Sequence, residues 1–194
     1  MTGSADFSEQ EWETVLEGPT SAGLIVTRGG RRIAAIEPIP AHAETLRLAT
    51  VTYSPTLILN GVKSLSYAAN MQATRLAKEQ GADEAVLVQP DGTVLEPPTS
   101  AIFWVSPRGE LRTPALDVGV LESITRDRLV KALQVEEGAW PLADLRAARE
   151  AFLASTTREI QAVSAIDGNA LPEAPGPRTR EAQQAFAATL GREL

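Results

Sequence analysis

The chain has 194 residues, of which 43% are hydrophobic, and a formal net charge of −7. This length and composition suit a globular protein with a sizeable buried core. The absence of cysteine excludes disulfide scaffolds, zinc ribbons and thiol catalysis, and a single histidine, His42, leaves little for a metal site or a serine triad. The acidic balance argues against nucleic-acid or anionic-membrane binding, because phosphates attract concentrated basic surfaces.

The sequence also lacks the marks of a membrane or exported protein. No stretch approaches the roughly 18 uninterrupted apolar residues of a membrane span. Residues 1–10 contain neither the basic region nor the apolar region of a secretory signal. We therefore expect a cytoplasmic protein that acts on small molecules, with no metal and no nucleic-acid or membrane partner.

The first predicted elements are strands. Two β-rich runs flank a Gly-Gly turn and predict a hairpin around residues 22–37. Residues 45–53 alternate apolar and polar side chains, as a half-buried strand does. The helical spacing of apolar residues then predicts a helix over 65–80, with Gly81 at its stop.

The rest of the chain mixes strands and helices. Residues 84–98 predict two strands around an Asp-Gly turn, and residues 100–114 predict another pair around Pro-Arg-Gly, which together suggest a meander of four strands. The remaining predictions are a helix over 123–133 with Ser123 as a possible N-cap, a helix over 142–150, strands over 151–156 and 160–167, and a closing amphipathic helix over 180–194. This alternation indicates an α+β or mixed α/β domain.

Lys63 stands out because only three of the 18 basic residues are lysines. It follows an apolar run, precedes the predicted helix and is flanked by Val62 and Leu65. Partial desolvation there would leave its neutral amine available as a nucleophile for a Schiff base. The alternative is a lysine whose stem covers apolar surface and whose ammonium reaches water. The local spacing leaves both interpretations open.

Three further polar elements could carry chemistry. Ser123 and Thr125 fall at a predicted helix start, where free backbone N–H groups suit a phosphate. Residues 155–157, Ser-Thr-Thr, follow an apolar strand and could supply more donors, and Glu96 lies before two prolines and an apolar segment. Each also has an ordinary interpretation: the hydroxyls of Ser123 and Thr125 as helix caps, residues 155–157 as a polar loop, and Glu96 as a solvated turn residue.

Taken in order, these elements resemble a known family. A lysine before a helix is followed by "GADEAVLVQPDGTVLE" and "IFW", then by "TP" and "ITRDRL", and then by "FLASTTREIQAVSAIDG". The order resembles the class IV pyridoxal-phosphate enzymes of fold type IV over residues 22–169. This family includes branched-chain aminotransferases, D-amino-acid aminotransferases and aminodeoxychorismate lyases.

The resemblance implies a fold and a domain layout. It implies the large C-terminal domain of the family, with β-meanders or a pseudo-barrel surrounded by helices, over residues 21–194. A polar segment, residues 1–20, precedes it. The smaller N-terminal domain of the family, which supplies an arginine to the cofactor phosphate, is expected to be absent.

The resemblance also implies roles for two charged residues. Lys63 corresponds to the lysine that bonds covalently to pyridoxal 5'-phosphate as an internal aldimine and later moves the proton between substrate Cα and the cofactor. Glu96 corresponds to the acidic residue that faces the pyridine nitrogen and keeps it protonated.

Further implied contacts involve the cofactor phosphate, the cofactor ring and the substrate. The backbone amides of Ile124 and Thr125, with the Thr125 hydroxyl, match the phosphate site at a helix start. Thr156 resembles a family threonine that contacts the phosphate from another loop. Thr157 follows at the position whose backbone amide often contacts the substrate carboxylate. Tyr67 is expected near the ring hydroxyl.

Three positions depart from the family pattern. Ser123 replaces a common glycine, Glu122 adds a negative charge beside the phosphate site, and Ala101 replaces an asparagine that often precedes the Ile-Phe pair. Neither Lys63 nor Glu96 is affected.

The resemblance implies an aminotransferase that exchanges an amino group between an amino acid, branched-chain-like or D-configured, and a 2-oxo acid. One alternative is an aminodeoxychorismate lyase that releases pyruvate, and a second is a non-catalytic or truncated large domain. A homodimer is expected, because family members are commonly dimers.

Overall fold

The structure is a computed structural model that describes residues 20–26, 28–39 and 41–190. The chain divides into two compact units, Met1–His42 and Ala43–Leu194. In the first unit, strands β1 (Thr20–Val26) and β2 (Arg32–Pro38) form an antiparallel hairpin. The predicted hairpin is therefore confirmed. The predicted closing residues 191–194 and the polar segment before residue 20 lie outside the described residues.

The second unit is built around one eight-stranded sheet. Its strands follow the order β4-β3-β9-β8-β5-β6-β7, and β10 pairs with β9. The strands are β3 (Thr45–Thr52), β4 (Glu84–Val88), β5 (Ala101–Val105), β6 (Leu111–Pro114), β7 (Glu136–Gly138), β8 (Glu150–Ser155), β9 (Glu159–Ile166) and β10 (Asn169–Ala170). The predicted strands at 45–53, 151–156 and 160–167 are confirmed.

The sheet is mixed, and the four-strand meander expected over residues 84–114 does not form. Strand β3 runs parallel to both β4 and β9, whereas β5 pairs antiparallel with β6 and β8. The chain after β4 turns back at the Asp-Gly turn and pairs only briefly with β4, through a bridge between Val88 and Val94 and backbone hydrogen bonds that include one from the Leu95 N–H to the Leu87 carbonyl. Pro97 and Pro98 follow, and because proline has no N–H they cannot extend this ladder.

In the part of the chain that the structure describes, four α-helices surround the sheet. They are α1 (Ala68–Glu79), α2 (Ile124–Ala132), α3 (Leu142–Arg146) and α4 (Pro177–Leu190). Helix α1 begins three residues later than predicted, because the Ser66 N–H bonds to Ser64 Oγ at 3.0 Å in a local turn. It ends at Glu79, two residues before the predicted stop at Gly81, whose φ of +79° suits glycine. Helix α3 stops short of the predicted residue 150, which opens strand β8.

Strand β5 separates two apolar layers of the core. Ile102 and Trp104 join the layer that contains Leu145 of α3, and Phe103 joins the layer that contains helices α2 and α4. Phe103 stacks on Phe152 of β8 with ring centroids 5.1 Å apart. Burial on both faces explains the unbroken apolar sequence of β5. The packing holds the ends of β5 and β8 in fixed positions.

Within the described ranges, no helix is both long enough and apolar enough to cross a membrane.

Candidate functional site

A cavity of about 380 Å³ lies where β5 begins and β8 ends. Its walls include every site residue predicted from the sequence, namely Lys63, Tyr67, Glu96, Ile124, Thr125, Thr156 and Thr157. Sites for small molecules in proteins typically measure about 300–1,000 Å³. The folded chain therefore gathers the predicted residues around a space of suitable size.

Lys63 lies in an irregular connection between β3 and α1, after a 3-10 turn at Leu57–Leu59. The sequence left two interpretations open, a partly desolvated amine or an ammonium that reaches water, and the exposed side chain agrees with the second. The apolar residues around it are exposed as well, so they do not shield the amine from water. Tyr67 is half-buried and precedes α1. A smaller cavity of about 150 Å³ shares Lys63, Tyr67 and Glu96 with the main cavity.

Glu96 is half-buried, and its Oε1 accepts a hydrogen bond of 2.8 Å from the Leu121 N–H. Burial raises the pKa of this carboxyl from 4.5 to about 7, against the opposing effects of that hydrogen bond and of the positive charges on Arg126 and Lys63. Near neutral pH the group is thus close to the midpoint of its titration. A ligand N–H⁺ placed against it would favour the ionised form.

The N-terminus of α2 forms one wall of the cavity, and this wall can attract anions. Ser123 caps the helix by accepting the Arg126 N–H at 3.3 Å, which confirms the predicted cap. Ile124 and Thr125 are the first two helical residues, so their N–H groups have no acceptor within the helix. The positive end of the helix dipole lies at the same place. This wall suits a phosphate or a carboxylate.

The turn between β8 and β9 contributes hydroxyl and amide donors. Ser155 pairs with Glu159, so the turn consists of residues 156–158. Thr156 and Thr157 are exposed in this turn and line the cavity. Ser155 Oγ accepts the Arg158 N–H at 3.3 Å within the turn. The two threonines thus face the cavity from a segment that is tied to the end of β8.

Ser100 also lines the cavity, and the sequence analysis missed it. The residue is 6% exposed, and its Oγ has no hydrogen-bond partner among the residues that the structure describes. It directly precedes Ala101, which pairs with Ala154 of β8. A buried hydroxyl without a partner is unfavourable unless something occupies the site. Its place next to an apolar strand, four residues after Glu96, is the only signal that the sequence offered.

Asn70 was missed for a different reason. Its Nδ2 donates to the Pro98 carbonyl at 2.9 Å and so ties α1 to the loop that follows Glu96. The contact joins residues 28 positions apart, and no local pattern predicts it.

The departures from the family pattern have limited effect on the cavity. Glu122 lines the cavity but is exposed, so water screens its charge. Ala101 is buried as the first residue of β5.

The curled, mixed sheet and the cavity at its strand ends define a domain of fold type IV. The sequence profile of the Amino-transferase class IV family matches residues 11–166. The chain therefore belongs to the class IV aminotransferases, enzymes that depend on pyridoxal phosphate.

Named relatives support this placement. The D-alanine aminotransferase of Bacillus licheniformis is 34% identical over 131 residues, which cover 64% of this chain and 46% of the relative. The bifunctional aminodeoxychorismate lyase / D-amino acid transaminase of Mycobacterium tuberculosis is 26% identical, and the match covers 89% of this chain and 70% of the relative. The chain thus spans less than half of the Bacillus enzyme.

A solved structure agrees with the fold. The branched-chain amino acid aminotransferase of Thermobaculum terrenum in its PLP form is 28% identical and superposes with a TM-score of 0.72. The match covers 88% of this chain and 62% of that structure. The fold type predicted from the sequence is confirmed.

Proposed function

We propose that this chain binds pyridoxal 5'-phosphate in the cavity and acts as an aminotransferase between an amino acid, branched-chain-like or D-configured, and a 2-oxo acid. The observation that carries the proposal is the convergence of three groups in one cavity: the Lys63 amine, the Glu96 carboxyl and the start of α2. We also propose residues 21–194 as the large domain of this enzyme. The cytoplasmic location stays a prediction.

The donor set of the cavity fits this cofactor. A phosphate would be held by the amides of Ile124 and Thr125 and by the Thr125 and Thr156 hydroxyls. The Ser100 hydroxyl, which has no hydrogen-bond partner among the described residues, adds a buried donor that a phosphate oxygen could accept from. A ring N–H⁺ would find its counter-ion in Glu96. The bound cofactor would supply an electron sink for the negative charge that develops at substrate Cα.

Lys63 would hold the cofactor covalently through Nζ and then move the proton at substrate Cα. Its exposure in the connection before α1 leaves the amine within reach of a substrate that enters the cavity. Tyr67, half-buried on the same wall, would orient the ring through its hydroxyl.

Glu96 would keep the ring nitrogen protonated. The Leu121 N–H fixes one carboxylate oxygen at 2.8 Å, which holds the carboxylate in the cavity wall. Because a cationic N–H partner lowers the pKa of a carboxyl, ligand binding would ionise Glu96. Thr157 would meet the substrate carboxylate through its backbone amide, as an exposed turn residue can.

The test is to trap the cofactor on the protein. The purified chain is incubated with pyridoxal 5'-phosphate and dialysed, and its visible spectrum is recorded before borohydride reduction and peptide mapping. We expect a retained chromophore and a label on Lys63, which Lys63→Ala abolishes. Lys78→Ala is the control, because Lys78 is an exposed lysine on α1 outside the cavity.

Two results would contradict the proposal. A label that survives in Lys63→Ala would refute the role of that residue. A wild-type chain that retains no chromophore would support the alternative of a non-catalytic large domain.

An aminodeoxychorismate lyase is the second candidate, favoured by the bifunctional Mycobacterium relative. A lyase releases pyruvate from its substrate without consuming a 2-oxo acid, whereas a transaminase requires one. Pyruvate release from aminodeoxychorismate in the absence of any 2-oxo acid would therefore support the lyase. Transfer from an amino acid that depends on a 2-oxo acid would support the transaminase.

We further propose a homodimer. Leu57, Ile58 and Leu65, in the connection between β3 and α1 that also carries Lys63, are 83%, 84% and 84% exposed. Clustered apolar side chains exposed to this degree commonly mark a protein interface. A second copy that covers them would also shield the mouth of the cavity near Lys63.

A further inference from the structure

A partly buried ion pair joins Arg158, in the turn that carries Thr156 and Thr157, to Glu84. Glu84, at the start of β4, is 4% exposed. Its Oε2 accepts from Arg158 Nη2 at 2.9 Å, and its Oε1 accepts from Thr74 Oγ1 of α1 at 2.8 Å. Arg158 directly follows Thr157 in the chain, so the ion pair connects the last residue of the turn to strand β4.

The Arg158 guanidinium is engaged by two groups of the protein. Its Nη1 donates to Gln161 Oε1 at 3.0 Å, and Gln161 Nε2 donates in turn to the Ala43 carbonyl at 2.6 Å. The planar guanidinium presents N–H groups in fixed directions toward both partners, a geometry that the compact ammonium of lysine does not reproduce. Arg158 is absent from the cavity walls, so it does not reach a ligand there. Its effect on the site must pass through the turn.

The turn needs this support. Glu159, which follows it, has a φ of +52° and is exposed. A non-glycine residue in this left-handed conformation is strained and keeps it only where surrounding contacts fix the backbone. Thr156 and Thr157 are exposed, so their own packing contributes little. The side chain of Arg158 is the part of the turn that is anchored to buried groups.

We infer that Arg158 and Glu84 form a positioning pair that fixes Thr156 and Thr157 against the cavity and thereby sets the affinity of the site for the oxyanions of its ligands. The inference rests on the proposed function for the identity of the ligand. Its structural part, the ordering of the turn, can be tested without any ligand.

Two variants remove the pair. Arg158→Met leaves Glu84 buried without its cation, which can prevent folding. The double variant Glu84→Gln/Arg158→Met removes both charges and avoids that problem. Arg158→Lys keeps the positive charge but loses the second contact of the fork, to Gln161. We expect its behaviour to fall between those of Arg158→Met and the wild type.

The matched control is Glu150→Gln. Glu150 is another buried carboxylate, 2% exposed, whose partners are Arg178 and Thr179 at the start of α4. It does not line the cavity. Its loss is expected to lower thermal stability without changing the turn, so it separates general destabilisation from positioning.

The readouts are the dissociation constants of pyridoxal 5'-phosphate and of inorganic phosphate, and amide hydrogen exchange across residues 155–159. We expect the double variant to weaken binding of both probes about tenfold, comparable with the loss of outer-shell partners at metal sites. Exchange in the turn should accelerate. Glu150→Gln should change neither readout, although it melts earlier.

The outcomes separate the two proposals. If the wild type binds both probes and the double variant binds them as tightly, the positioning pair is refuted and the proposed function stands. If the wild type binds neither probe, the proposed function fails and hydrogen exchange decides the pair. In that case, faster exchange across residues 155–159 in the double variant but not in Glu150→Gln supports the positioning pair. Unchanged exchange in the double variant overturns it.

Discussion

The Glu96 carboxylate accepts a hydrogen bond of 2.8 Å from the Leu121 N–H in the cavity wall. Burial nevertheless raises the pKa of this carboxyl to about 7. The hydrogen bond stabilises the charged form, and desolvation destabilises it by more. The balance leaves the carboxyl able to gain or lose its proton near neutral pH. A ligand that brings a positive charge to this position would lower the pKa of Glu96 and favour its ionised form.

The raised pKa predicts a pH dependence of stability in the ligand-free protein. Between the ordinary pKa of 4.5 and the folded value of about 7, the folded state binds more protons than the unfolded state. The contribution of Glu96 is therefore fully present below this window and is lost as the pH rises through it. The upper limit of that loss is on the order of 3 kcal/mol.

Glu96→Gln should remove this dependence. The measurement is the free energy of unfolding from urea titrations at pH 5 and pH 8, for the wild type and the variant. We expect the wild type to lose more stability than Glu96→Gln over that range. An equal loss of unfolding free energy in the two proteins would show that burial does not raise the pKa of Glu96. With cofactor present, the variant should retain the chromophore but turn over slowly.

Ser100→Ala should leave the ligand-free protein as stable as the wild type, or more stable by about 1 kcal/mol, because it deletes a buried hydroxyl that has no hydrogen-bond partner in the described part of the chain. The same change should weaken the binding of inorganic phosphate or of pyridoxal 5'-phosphate. Thermal melting and equilibrium binding measure the two effects. Ser106→Ala is the control, since Ser106 is buried and bonds to Glu110 and to the Arg108 N–H.

That control should lose stability by about 1 kcal/mol and keep its affinity. A Ser100→Ala protein that is as destabilised as Ser106→Ala would show that the Ser100 hydroxyl already has a partner in the ligand-free fold.

Gly176 lies against Glu150, and a Cβ added there would fall 2.2 Å from Glu150 Oε2. Gly176→Ala should destabilise the domain by about 1–3 kcal/mol, because it displaces the carboxylate that caps α4. Chemical denaturation gives the value. Gly29→Ala, where the new Cβ meets nothing within 4 Å, should be close to neutral. A Gly176→Ala protein of wild-type stability would show that the carboxylate can move aside at no cost.

The proposed homodimer predicts that Leu65→Glu weakens self-association, because it places a charge on an apolar surface that is 84% exposed in the single chain. Sedimentation velocity over a range of concentrations measures the effect. Arg75→Glu, an exposed change on α1, serves as the control. A wild-type protein that remains monomeric at high concentration would contradict the homodimer.

The strands and helices were largely predictable, because each follows from short-range rules. The Gly-Gly hairpin, the Ser123 cap and the Gly81 stop depend on residues within a few positions of one another. The predicted site residues came instead from the order of motifs, and the folded chain brings them to one cavity. Their roles remain proposals.

The sequence by itself determined the elements, the family and the candidate residues, since these depend on local patterns and on motif order. Only the tertiary structure decided that β3 pairs in parallel with β4 and β9, that Ser100 lies in the cavity wall, and that Glu84 holds Arg158. Glu84 and Arg158 are 74 positions apart. Such contacts arise when whole elements pack together to bury apolar surface, and no local pattern encodes which distant partner a side chain will meet.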